Sequence, residues 1–172
     1  MTLHFSSLGS GSKGNATLVK SANSLLMIDC GFTIKETIRR LAVLGHQPED
    51  ITAILVTHEH SDHIKGVGPF ARKFNLPVYL THGSKQYDGV SKLSSANIIN
   101  CHKAFEIDDI EIMPVAVPHD AREPCQFVFK SANKTLGILT DVGNITPFVI
   151  DRYKQCDALM LECNHDPKML SM

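Results

Sequence analysis

The segment Thr57-His58-Glu59-His60-Ser61-Asp62-His63 constrains this chain more than any other. It crowds three imidazoles and two acidic side chains together, directly after the apolar run Ala53-Ile54-Leu55-Val56. In a packed core each imidazole needs its own hydrogen-bond partner, and neighbouring protonated rings repel. A divalent cation removes both difficulties, because it takes neutral imidazole nitrogen and carboxylate oxygen as ligands. The bland alternative is a solvated, histidine-rich turn. The apolar run reads as a strand, so the cluster sits at a strand's carboxyl end.

The same punctuation recurs along the chain. Apolar stretches at 3–5, 16–20, 24–28, 51–56, 77–80, 97–100, 110–117, 126–130, 135–140 and 157–161 read as strands. Five of them end at a metal-capable or acid–base residue: Asp29, His58, His119, Asp141 and His165. In layered α/β folds ligands gather outside the carboxyl ends of strands, so one shared rim is the simplest explanation. Helices are expected at 64–74, 84–93 and 146–155. A further helix follows the capping box Thr33-x-x-Glu36, with Ile34, Ile38, Leu41 and Leu44 at helical spacing and Gly45 as its stop. The glycine-rich run from Leu8 to Asn15 matches neither nucleotide-binding glycine motif. It is either a flexible connection between two strands or a lining of the active-site rim.

Length and charge narrow the partners. A chain of 172 residues allows one domain, 1–172, with a sizeable core. A formal net charge of −1 gives no global attraction to nucleic acid, so any phosphate must be held locally. The basic pairs Arg39-Arg40 and Arg72-Lys73 read as solvated helix faces. Five scattered cysteines without C-x-x-C argue against a disulfide framework and a zinc knuckle. With no secretory leader and no membrane-length apolar run, a cytoplasmic setting without a membrane partner is expected.

The spacing of the cluster suits two metals. His58 and His60, two apart on an extended segment, reach one ion, and Asp62 and His63 turn toward another. The order H-x-H-x-D-H at 58–63 resembles the metallo-β-lactamase superfamily. Gly9-Ser10-Gly11-Ser12-Lys13-Gly14-Asn15, His60-Ser61-Asp62-His63-Ile64-Lys65-Gly66, Pro118-His119-Asp120-Ala121 and Glu162-Cys163-Asn164-His165-Asp166 are similar to its YycJ/VicX-like (WalJ) subgroup, whose members are regarded as nucleases. The resemblance implies an α/β fold, the αββα sandwich. It divides the ligands into His58, His60 and His119 for one ion and Asp62 and His63 for the second, bridged by Asp141. Asp62 and Asp141 become the candidate catalytic carboxylates. Asp29 is implied to orient a histidine ligand, and Asn15 and His165 to touch ligands or substrate.

Two divalent ions follow as the expected cofactors. Zinc suits this ligand set, and manganese or iron is compatible because no cysteine ligand selects zinc. The expected reaction is hydrolysis by a metal-activated water, with DNA or RNA as the phosphodiester substrate that the resemblance implies. A glyoxalase-II-like thioesterase is the alternative chemistry. The chain departs from the family pattern in one respect: a further histidine, in a Gly-His-Leu-Ser-Asn motif, is absent. The sandwich is therefore expected to lack its last strands, its last helix and one ligand of the second ion. A weakly held second metal, an exposed apolar edge open to self-association, and a catalytically weak metal-binding module are the corresponding expectations.

Overall fold

A computed structural model describes residues 2–162; the expectation for His165 lies outside the described residues. The first sheet holds β1 (His4–Gly9), β2 (Ala16–Lys20), β3 (Leu25–Ile28), β4 (Ala53–Leu55), β5 (Val78–Leu80) and β6 (Ala96–Ile98), in that spatial order. β1 to β3 are antiparallel, and β3 to β6 are parallel. The second sheet holds β7 (Phe105–Ile107), β8 (Ile110–Ala116), β9 (Cys125–Ser131), β10 (Lys134–Leu139) and β11 (Ala158–Leu161), ordered β11-β10-β9-β8-β7. It is antiparallel except for the β10–β11 pair.

Side-chain parity along the strands builds the layers. Successive residues of a strand point to opposite faces. In the first sheet Leu18, Leu25, Met27, Ile54 and Val56 join one core cluster, packed with Ile34, Leu41, Val67 and Phe70. Their neighbours Val19, Leu26, Ile28, Ala53 and Leu55 join another, with Ile110, Ile112, Phe127, Phe129, Leu136 and Ile138 of the second sheet. The far face of that sheet, through Val115, Val128 and Leu139, packs on Val149 and Tyr153. Helices therefore cover both outer faces of two stacked sheets, which is the αββα order expected. Each fully buried Leu or Phe contributes about 1.5–3 kcal/mol of transfer free energy.

Helix α1 (Ile34–Val43) starts where expected, with the Thr33 hydroxyl accepting from the Glu36 N–H. The Glu36 carboxylate does not close a capping box; it pairs with Arg39 and Arg40. The helix read at 64–74 is instead two, α2 (Ser61–Ile64) and α3 (Val67–Phe74). Gly66 is the N-cap of α3 and Pro69 falls in its first turn, where a missing N–H costs nothing. The helix read at 84–93 is likewise divided into α4 (His82–Lys85), capped by the Thr81 hydroxyl, and α5 (Asp88–Ser91). β7 was not expected; at three residues it is too short to show periodicity. Helix α6 (Pro147–Tyr153) is capped by the Thr146 hydroxyl.

Gly137 in β10 shows how tightly the last layer packs. A Cβ there would lie 2.6 Å from the Tyr153 ring and 2.7 Å from Leu159. The Tyr153 hydroxyl donates to the Ile138 carbonyl at 3.0 Å, so the aromatic ring lies flush with the sheet.

Candidate metal centre

The carboxyl ends of β3, β4, β8 and β10 converge. β4 carries the chain to Thr57 and His58, and α2 returns it through Asp62 and His63. The two sheets are joined at this edge by a backbone bond from the Cys125 N–H to the Thr57 carbonyl, 2.9 Å long. The Gly143 N–H donates to the Pro118 carbonyl at 2.8 Å, tying the loop that carries Asp141 to the loop that carries His119. Asp29 and Asp141 both adopt the left-handed backbone region, with φ of 60° and 48°. That conformation is uncommon outside glycine and turns each carboxylate out of its strand's line into the rim.

His58, His60 and His119 meet nose to nose. His119 Nε2 lies 3.2 Å from His58 Nε2 and 3.3 Å from His60 Nδ1. The surrounding hydrogen bonds assign their tautomers. The Thr57 hydroxyl donates to Asp29 Oδ2 at 2.7 Å, so it accepts from His58 Nδ1–H at 2.9 Å. His60 Nε2–H donates to the Asp120 carbonyl at 3.1 Å. His119 Nδ1 faces Asp120 Oδ1 at 3.1 Å. Each ring therefore turns an unprotonated nitrogen toward the other two. Three facing lone pairs repel unless a cation lies among them. Zinc–nitrogen bonds of about 2.0–2.1 Å in a tetrahedron place ligand nitrogens roughly 3.3–3.4 Å apart, the spacing seen here. The residues fit a divalent metal.

A second group shares His58 with the first and adds His63 and Asp141. His63 Nδ1 donates to Asp29 Oδ2 at 2.8 Å, which leaves Nε2 facing the rim. Asp141 Oδ2 stands 3.1 Å from that nitrogen. It is buried and, among the described residues, has no aligned hydrogen-bond donor. Two electron-rich atoms so placed again call for a cation. Burial would lower His63, but Asp29 and Asp141 outweigh it and raise its pKa to about 10, so without a metal a proton supplies the charge. Burial also opposes ionisation of Asp141, yet His63 wins and holds it below the usual carboxylate range. His58 is governed by burial, which takes it down to about 4 against the pull of Asp29, so its imidazole is neutral at pH 7.

The remaining expected residues stand close by. Asp62 Oδ2 is 3.6 Å from His63 Nε2 and accepts from the Asn15 amide at 3.0 Å. The same amide nitrogen is 3.0 Å from His63 Nε2, and Asn15 Oδ1 accepts from the Gly11 N–H at 2.8 Å. Asn15 thus ties the glycine-rich loop to the histidines. Asp29 accepts three times, from the Thr57 N–H, the Thr57 hydroxyl and His63. The roles of Thr57 and Asp120 were not legible beforehand. Thr57 abuts the motif, but nothing in the sequence says its hydroxyl bridges Asp29 to His58. Close backbone packing completes the frame: a Cβ on Gly31 would sit 1.7 Å from the Asp62 carbonyl oxygen.

A family model described as a beta-lactamase superfamily domain matches residues 25–172. The chain is 37% identical to the exodeoxyribonuclease YycJ of Bacillus anthracis, over all of this chain and 67% of that protein. It is 35% identical to the exodeoxyribonuclease WalJ of Streptococcus pneumoniae serotype 2, over 96% of this chain and 64% of the other. The chain therefore spans about two thirds of the length of these two relatives. Among solved structures, the metallo-beta-lactamase fold protein YhfI of Bacillus subtilis aligns with a TM-score of 0.78 at 17% identity, covering 96% of this chain and 73% of that one.

Proposed function

The chain belongs to the beta-lactamase superfamily, and on that premise we propose that it is a metal-dependent phosphodiesterase acting on nucleic acid, DNA first. One observation carries the chemistry: His119 Nε2 faces His58 Nε2 at 3.2 Å and His60 Nδ1 at 3.3 Å, the rings oriented from outside, beside the His63–Asp141 pair. The names of the relatives carry the substrate class.

We assign His58, His60 and His119 to one ion and His63 and Asp141 to a second, with His58 close to both, and add Asp62, whose Oδ2 is 3.6 Å from His63 Nε2, to the second. Zinc is the metal that this nitrogen-rich set favours. Divalent ions bound there supply a water of lowered pKa and a Lewis acid for the phosphoryl oxygens. The protein's own part is preorganisation. Asp29 and Thr57 keep two imidazoles in the tautomers that present Nε2. From the opposite side Asp120 holds His60 with Nδ1, and His119 with Nε2, turned to the site. Asp141 keeps a carboxylate at the rim, 3.1 Å from His63 Nε2, where it would hold the second ion and take up a proton from water. Asn15 orients Asp62 and fixes the loop over it.

The test is hydrolysis of bis-p-nitrophenyl phosphate and of end-labelled single-stranded DNA by the zinc- or manganese-loaded chain. Turnover of both is expected, with loss on chelation and in Asp141→Asn. Full turnover in excess chelator would remove the basis of the reading.

No helix among the described residues is long and apolar enough to cross a membrane.

A further inference from the structure

A cavity of about 440 Å³ opens beside the metal centre, lined by Glu59, Gln86, Tyr87, Asp88, Gly89 and Arg122. We propose that it is a nucleobase subsite: it takes the base of the nucleotide next to the cleaved phosphodiester, stacked on Tyr87, with Arg122 on the neighbouring phosphate. The inference rests on the phosphodiesterase reading above and names the part of the substrate that the cavity holds.

The position is set by the metal ligands themselves. Glu59 lies between His58 and His60, and Arg122 follows three residues after His119. The Arg122 N–H donates to Glu59 Oε1 at 2.8 Å, so the two ligand-bearing loops form one wall of the cavity. A nucleotide held there is adjacent to whatever the histidines face.

The chemistry of the lining selects a base. Tyr87 is partly buried and packs against the helix-side core of the first sheet. One part of its ring lies against Gly89, where a Cβ would meet it at 2.6 Å. A rigid aromatic wall in an open polar cavity is a stacking platform, and every nucleobase has a π face. Glu59, Asp88 and Gln86 add acceptors, which match the amino and ring N–H donors of base edges. Among the described residues Glu59 Oε2 has no hydrogen-bond donor, and a small turn of this cavity-lining side chain would offer it to a base amino group. Two carboxylates disfavour a phosphate within the cavity. Arg122 is exposed, is bonded to the neutral Gln86 amide oxygen at 2.6 Å and makes no ion pair among the described residues. Its remaining N–H groups serve the phosphate outside.

The experiment measures binding of a fluorescein-labelled, phosphorothioate single-stranded DNA decamer to the zinc-loaded chain, beside the same backbone without bases. Tyr87→Leu keeps apolar bulk but removes the ring, and Tyr87→Phe keeps the ring. We expect Tyr87→Leu to weaken the decamer about tenfold and Tyr87→Phe to stay within about twofold. The abasic strand should bind the parent more weakly and be insensitive to either change, and Arg122→Gln should weaken both strands. Melting temperatures of the variants check that the fold is kept. Equal binding of the two strands by the parent, equal affinity of Tyr87→Leu and parent, or no binding of the decamer would each overturn the subsite. Turnover of bis-p-nitrophenyl phosphate reads the phosphodiesterase chemistry separately, since that diester carries no base.

Discussion

Asp29 and His63 are joined at 2.8 Å, Oδ2 to Nδ1, across 34 residues of sequence. The same carboxylate oxygen takes the Thr57 hydroxyl, which in turn holds His58. One buried acid therefore holds Nδ1 of two imidazoles, directly for His63 and through Thr57 for His58, and both turn Nε2 toward the rim.

Replacing that acid removes the control. In Asp29→Asn one oxygen cannot serve both His63 and Thr57 as a charged acceptor. Metal affinity should fall about 10–100-fold, as for other partners that orient a ligand. Thr57→Val breaks only the branch to His58 and should cost less. Competition against a chromophoric zinc chelator measures both, and unchanged affinity in Asp29→Asn would show that the orientation is set elsewhere.

Metal binding should stabilise the fold, because the ligands come from separated parts of the chain. At a free zinc concentration 100 times Kd the gain is about 2.7 kcal/mol. For a chain of this size that raises Tm by about 5–10 °C. His119→Ala, which removes the one nitrogen that faces both His58 and His60, should lose most of the increment. Calorimetry with and without zinc decides this; an equal increment in parent and variant would mean that the ion binds elsewhere.

Two glycines should respond differently to alanine. At Gly31 the new methyl meets the Asp62 carbonyl, a backbone atom that cannot swing aside. At Gly137 it meets the Tyr153 ring and the end of Leu159. Gly31→Ala should destabilise by about 1–3 kcal/mol or more and displace Asp62 and His63, lowering metal affinity as well. Gly137→Ala should destabilise with metal affinity retained. Urea unfolding paired with zinc titration separates the two outcomes.

Glu36 gives a pH signature remote from the metal. Hydrogen bonds from Arg39 and then Arg40 lower its pKa from the usual 4.5 to about 2. A carboxylate lowered on folding stabilises the native state above its unfolded pKa, and that contribution disappears as pH falls through the folded value. The Tm difference between parent and Glu36→Gln, both in chelator, should be full at pH 7, shrink below pH 4.5 and vanish near pH 2. Because Glu36 is on the surface, salt should shrink it too. A difference that does not vary with pH would point to helix propensity alone.

Much of this was readable from the chain. The apolar runs at 16–20, 24–28 and 51–56 read as strands and are strands, and in the structure alternation sorts Leu18 from Val19 and Ile54 from Leu55. The capping of α1 by Thr33 follows from local spacing alone. Two expected helices are each divided: one at Gly66, the other by a turn at Gln86 and Tyr87. A short turn is set by packing on its neighbours, which periodicity does not record.

The sequence by itself determined which side chains are candidates for the chemistry, because His58, His60, Asp62 and His63 lie within six residues and that proximity survives any folding. Only the tertiary structure decided that His58 stands in both ligand groups, that Thr57 links Asp29 to it, and that Tyr87 and Arg122 share a cavity with Glu59. Those relations depend on where the two sheets meet, at the bond between Thr57 and Cys125. Residues so far apart in sequence are brought together by burial of both sheet faces, a global balance that no local spacing encodes.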